Sequence, residues 1–182
     1  MHEIIAIGRE YMVRATGNFN QADSTATGDT LFVSPSGVFN EIRRIWRTEE
    51  IDISGVPGIY DLDPLSALTA LKHLNISGAK VIKPEPIRNL SKLETFIASG
   101  TLISSINALQ YSTSLRYLDL SNTFIADIEP VANFNQLEYL FLTGLSVEDI
   151  SPIRRLERLK ELRLNNLPLR SLESLAGLPG LE

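Results

Sequence analysis

Leu71, Leu93, Leu115, Leu137, Leu159 and Leu181 stand 22 residues apart, and the recurrence extends to the residues between them. With each leucine as position one, position four reads Leu74, Phe96, Leu118, Leu140 and Leu162. Position eleven reads Val81, Ile103, Ile125, Val147 and Leu169, and position seventeen reads Ile87, Leu109, Val131, Ile153 and Leu175. A fixed period of this length constrains architecture more tightly than any local propensity, because the fold must repeat with it. A divergent unit precedes the five: Ile51, Ile53, Val56, Leu62, Leu65 and Leu68 fit once a residue is inserted near Ile59-Tyr60.

Each unit changes its apolar rhythm part-way along. Positions four to six alternate apolar, polar, apolar, which predicts a short strand with one buried face. Position eight is Gly55, Gly78, Gly100, Asn122, Gly144 and Asn166, a column suited to a turn at positive φ. Asp63-Pro64, Glu85-Pro86, Glu129-Pro130 and Ser151-Pro152 then place a polar cap before a proline, the start of a short helical turn. Positions fourteen, seventeen and twenty face inward from that turn. One unit is therefore strand, turn, short helical turn and return.

No unit can bury its apolar side alone. Stacking the units aligns their strands into a parallel sheet over one continuous core. Six strands at ~4.8 Å spacing make a sheet about 25–30 Å wide. "LRYLDLSNTFIADIEPVANF" and "LEYLFLTGLSVEDISPIRRL" carry the pattern in full, and through them residues 51–180 resemble the leucine-rich-repeat family in its 22-residue, internalin-like form. The resemblance implies an α/β solenoid: a right-handed superhelix with a concave parallel sheet, short 3₁₀ or α turns on the convex side, and an N-terminal cap. It implies a protein-interaction role, directed at a host or displayed on a cell surface in proteins of internalin type. One column departs from the family, whose position nine is usually asparagine. Here it reads Val56, Ala79, Thr101, Thr123, Leu145 and Leu167, a variant common in bacterial repeats, so no asparagine ladder is expected.

Residues 1–50 fall outside the register and are expected to form a capping region, with residues 51–182 as the solenoid. "HEIIAIGREYMVRA" and "TLFVS" predict strands, and Phe39, Ile42, Ile45 and Trp46 predict a short amphipathic helix. At the other end the repeats run to Leu175 and Leu178 without a polar cap. The last strand is then expected either to be continued by further chain or to pair with a second molecule, end to end.

Composition narrows the function. The net charge of -5 does not suit a nucleic-acid or anionic-membrane surface. All of it lies in residues 1–70, with five Lys/Arg against ten Asp/Glu, while the rest balances at twelve against twelve. The absence of cysteine rules out disulfides, thiolate metal sites and a cysteine nucleophile. His2 and His73 are the two histidines, too few and too far apart in sequence for a metal site. No phosphate-binding, hydrolase-elbow or zinc-protease motif occurs, so neither an enzyme nor a cofactor is expected. "RRLERLKELR" reads as a solvated face: Arg154, Arg155 and Arg158 belong to the convex turn, and Lys160 and Arg163 to the other side. No stretch reaches the ~20 apolar residues of a membrane span. "MHEIIAIGREYMVRATG" lacks a basic leader, which predicts a cytoplasmic protein, or a secreted one if an export signal preceded it.

The informative residues are those facing out of the sheet, at positions three and five. In the middle units they are Ile97, Tyr117, Tyr139 and Phe141, flanked by His73, Asp119, Glu161 and Arg163. An aromatic centre with a polar rim is the composition of an interaction hot spot. The expected function is a non-enzymatic scaffold that binds a protein or peptide on these residues. The alternative is a structural segment that self-associates through the C-terminal edge strand.

Overall fold

The computed structural model describes residues 49–56 and 58–181, together with the backbone of three earlier strands. These are β1 (Ala6–Ile7), β2 (Glu10–Thr16) and β3 (Leu31–Val33). The expected helix at Phe39–Trp46 lies outside the described residues. Six strands of three residues follow, one per unit: β4 (Glu50–Asp52), β5 (His73–Asn75), β6 (Thr95–Ile97), β7 (Tyr117–Asp119), β8 (Tyr139–Phe141) and β9 (Glu161–Arg163). They pair in parallel and in chain order, with Ile51, Leu74, Phe96, Leu118, Leu140 and Leu162 side by side. Strand β2 runs antiparallel to β4 on the opposite edge, and it also pairs with β1 and β3.

Position eight reverses the chain, and every residue there has positive φ: 67° at Gly55, 73° at Gly78, 69° at Gly100, 57° at Asn122, 73° at Gly144 and 59° at Asn166. Glycine enters this region without a Cβ penalty, and asparagine is the side chain that tolerates it best. The bend does not interrupt pairing between coils. The position-eight N–H donates to the position-seven carbonyl of the next coil, as in Gly78 to Ser99 (2.8 Å) and Asn122 to Thr143 (2.7 Å). The inserted residue of the first unit lies between Val56 and Ile59, just before the expected place. Ile59 there accepts from Lys80 N–H as Val81 accepts from Leu102 in the next coil.

The return side carries 3₁₀ turns at Asp63–Ala67, Glu85–Asn89, Asn107–Leu109, Glu129–Asn133, Ser151–Arg155 and Glu173–Leu175. The four that contain proline are five residues long and the other two are three. The polar residues before the prolines do not cap these turns, contrary to expectation; they form the first turn themselves. The N-cap positions carry no side-chain cap; the first N–H of the turn is met from two residues earlier, where Asp61, Ser105, Asp127, Asp149 and Ser171 accept the N–H of Asp63, Asn107, Glu129, Ser151 and Glu173. The Ser151 N–H and hydroxyl together hold the Asp149 carboxyl below its ordinary pKa.

The core is one continuous column, from Ile51 to Leu178, with Phe96 and Phe134 its largest members. Each fully buried leucine or isoleucine contributes about 1.5–3 kcal/mol relative to exposure. Position nine is buried as its composition requires, and Thr101 and Thr123 turn their hydroxyls back onto Ala98 and Leu120 carbonyls, both at 2.8 Å. In the last coil the same columns are only partly buried, at Leu162, Leu164, Leu167, Leu169, Leu175 and Leu181.

Two turn glycines separate backbone strain from crowding. A Cβ at Gly78 would meet nothing within 4 Å, whereas one at Gly144 would lie 2.5 Å from Asn122 Oδ1. Gly78→Ala is expected to lower unfolding free energy by about 1–2 kcal/mol. Gly144→Ala should lower it further, because the Asn122 amide must move. Urea denaturation of both variants measures the difference; equal losses would show that Asn122 yields without cost.

Candidate functional site

Alternation within three-residue strands leaves positions three and five facing out of the sheet. Parallel pairing then stacks them in two columns: His73, Thr95, Tyr117, Tyr139 and Glu161, and Asn75, Ile97, Asp119, Phe141 and Arg163. Tyr117, Asp119, Tyr139, Phe141, Glu161 and Arg163, with Ser121 and Thr143 of the adjoining turns, line an open hollow of about 480 Å³. Six of the eight residues expected to form the site therefore converge. Ile97 lies at its margin, beside Asp119 in the sheet. His73 is set apart by two strands, its Nδ1 3.0 Å from Thr95 Oγ1.

The rings pack on one another. Tyr117 and Tyr139 lie 5.9 Å apart between centroids, and Tyr117 meets Phe141 edge to face at 5.2 Å and 78°. Such pairs contribute about 0.5–1.5 kcal/mol beyond their area. Phe141, expected to be exposed, is only 7% accessible. Tyr117 packs against it at right angles, and the Arg163 guanidinium lies over the ring, 4.5 Å from its centroid. Phe141 is therefore the buried ring of the hollow, and Tyr117 and Tyr139 are its half-buried ones. Arg163 is further held by Glu161, its Nε donating to Oε1 at 2.8 Å. Burial raises the Tyr117 pKa, the Asp119 charge raises it further, and Arg163 opposes them, so the phenol stays protonated at neutral pH.

Position five also serves the fold. Asp52, Asn75 and Asp119 each accept the N–H two residues on, from Ser54 (2.8 Å), Ser77 (3.0 Å) and Ser121 (2.9 Å), and so close the turn after their strand. Asp52 also accepts from the Asn75 amide at 3.2 Å. Among the described residues, no group of three or more His, Asp or Glu is placed to hold a metal, and no helix is long and apolar enough to cross a membrane.

The sequence reading missed a charge column at position two, where each strand begins. It reads Glu49, Lys72, Glu94, Arg116, Glu138 and Lys160, alternating in sign from coil to coil. Lys72 donates to Glu49 at 3.0 Å, and Glu138, its side chain 10% exposed, receives both Arg116 and Lys160, the latter at 2.6 Å. The 22-residue spacing that revealed the leucines would have shown this column too.

A family model of leucine-rich repeats, in two copies, matches residues 113–155. An internalin of Listeria monocytogenes superposes with a TM-score of 0.62 at 27% identity, over 88% of this chain and 52% of its own. The repeats are leucine-rich repeats. The same fold recurs in internalin C2 of Listeria monocytogenes, with a TM-score of 0.71 at 22% identity over 88% of this chain and 77% of that one. It recurs in the leucine-rich-repeat ectodomain of an Arabidopsis thaliana receptor kinase, solved in complex with Casparian strip integrity factor 2 (TM-score 0.69, 20% identity, 77% and 18% coverage). The chain spans about half the length of the first internalin. Comparison of its sequence with curated proteins gives no match.

The leucine-rich-repeat charge column has a pH signature. Lys160 first and Arg116 second hold the Glu138 carboxyl below its ordinary pKa. A folded-state pKa below the unfolded one adds stability that is present above the unfolded value and lost as pH falls through the folded value. Wild-type protein should therefore lose stability on acidification below about pH 4.3, the ordinary glutamate range. Glu138→Gln should be less stable at pH 7 and show a shallower acid limb in urea titrations from pH 7 to 3. An unchanged acid limb would place the pH dependence elsewhere.

Proposed function

We propose that this chain is a non-enzymatic scaffold that binds a protein or peptide on the concave face of its sheet, around Tyr117 and Tyr139. The observation that carries the reading is the hollow in the middle coils, lined by two half-buried tyrosines and a buried Phe141 together with Asp119 and the Glu161–Arg163 pair. A rigid sheet loses little conformational entropy on binding, and aromatic anchors with polar rims supply most of the energy in such interfaces. The complex in which the plant ectodomain was solved supports the reading by analogy of fold.

The test uses the tyrosines alone, since truncating Phe141 would remove a packed residue from the fold. Random dodecapeptides displayed on phage are selected on the wild-type protein. Binders should lose at least about tenfold in affinity on Tyr117→Ala/Tyr139→Ala, as loss of two hot-spot rings would require. Binders that keep their affinity for the double variant would place the binding surface elsewhere.

A second reading, assembly through the last coil, is favoured by the partial exposure of Leu162, Leu164, Leu169 and Leu175 beside strand β9. A further coil or a second copy would cover them. Light scattering across a concentration series tests the second-copy form: growth in mass with concentration supports it, and a constant monomer mass removes it.

A further inference from the structure

The hollow contains an acid whose bonding is incomplete. Asp119 and Asp52 occupy the same column and close the same turn with one carboxylate oxygen, on Ser121 and Ser54 N–H. The second oxygen of Asp52 is met by the neighbouring Asn75 amide at 3.2 Å. Asp119 has no such neighbour: the residues beside it in the sheet are Ile97 and Phe141, neither of which can donate. The nearby cation is already engaged, since Arg163 lies on the Phe141 ring and is bonded to Glu161. Among the described residues, no cationic side chain pairs with Asp119. A half-buried carboxylate beside an aromatic ring, with one oxygen unmet, is electrostatically suited to an incoming cation.

We infer that the hollow receives a lysine or arginine side chain of the partner, its charge on the second oxygen of Asp119 and its alkyl stem across the Tyr117 and Tyr139 rings. The inference rests on the concave face being the binding surface and adds the chemistry of what enters it. The molecule shows the same arrangement internally, where the Arg163 guanidinium covers a ring and pairs with an adjacent acid. Lysine and arginine share this recognition, as both combine an apolar stem with a terminal cation. A partner offering an acidic segment would instead meet Asp119 and Glu161 with like charge.

The variant that isolates the charge is Asp119→Asn. Asn75 accepts the turn N–H in its own coil as Asp119 does, so the substitution keeps the turn and removes the charge. The phage-displayed dodecapeptides are selected on wild type and on Asp119→Asn. Wild-type binders should carry a lysine or arginine at one aligned position, absent from binders selected on the variant. In a synthetic peptide from the wild-type set, replacing that residue by glutamine should weaken binding about tenfold to wild type and not at all to Asp119→Asn, the coupling expected of a close charge pair. Binders without an aligned basic residue, or an equal glutamine effect on both proteins, would overturn the inference. Binders that need both tyrosines but ignore Asp119 would overturn it while leaving the concave face as the site. Binders indifferent to the tyrosines, or none at all, would remove both.

Discussion

Strands of three residues cannot hold a register by themselves, so the whole molecule depends on the in-line parallel pairing of each coil with the next. That pairing runs from Ile51 through Leu162 without a slip, and it continues around the bend because position eight donates to the following coil. A positive-φ residue is required there, since the backbone must turn while its N–H still points along the stack. Once the bend is secured, every other position becomes a column. Leucine columns make the core, the charged column lines the start of the strands, and the outward columns make the open face of the sheet.

The column logic explains why one stretch of sheet differs from the rest. Position five closes the turn when it is Asp or Asn, as at Asp52, Asn75 and Asp119. Ile97, Phe141 and Arg163 hold the same position and make no such bond, which leaves them for contacts across the face. Phe141 and Arg163 use that freedom on each other. The result is a small preorganised relief in an otherwise regular sheet, with the two tyrosines half-buried beside it.

How much of this could be read from the sequence depends on the range of each interaction. The outward positions three and five and the positive-φ column follow from residue type and spacing alone and appear as read, whereas the strands occupy positions three to five, one residue ahead of the alternation that marked them. The burial of Phe141 was not legible, because its cover comes from Arg163 in the next coil and from the tilt of Tyr117, and side-chain direction is set by packing. The polar residues before the prolines were misread as caps: a proline marks where a turn starts, whereas the carboxylate or hydroxyl that meets the turn's first N–H lies two residues earlier. Asp119 could be placed on the face, but its unmet oxygen emerges only when its neighbours in the sheet are known.

The alternating charges at position two bear on how such a chain can change its length over generations. Loss of the coil that carries Arg116 would set Glu94 directly beside Glu138, and loss of the one that carries Glu138 would set Arg116 beside Lys160. Either deletion leaves the leucine columns in register and the remaining core continuous, yet it brings like charges together at the start of adjacent strands. Excising both coils restores opposite signs. Recombination between these repeats is therefore least disruptive when coils are gained or lost two at a time.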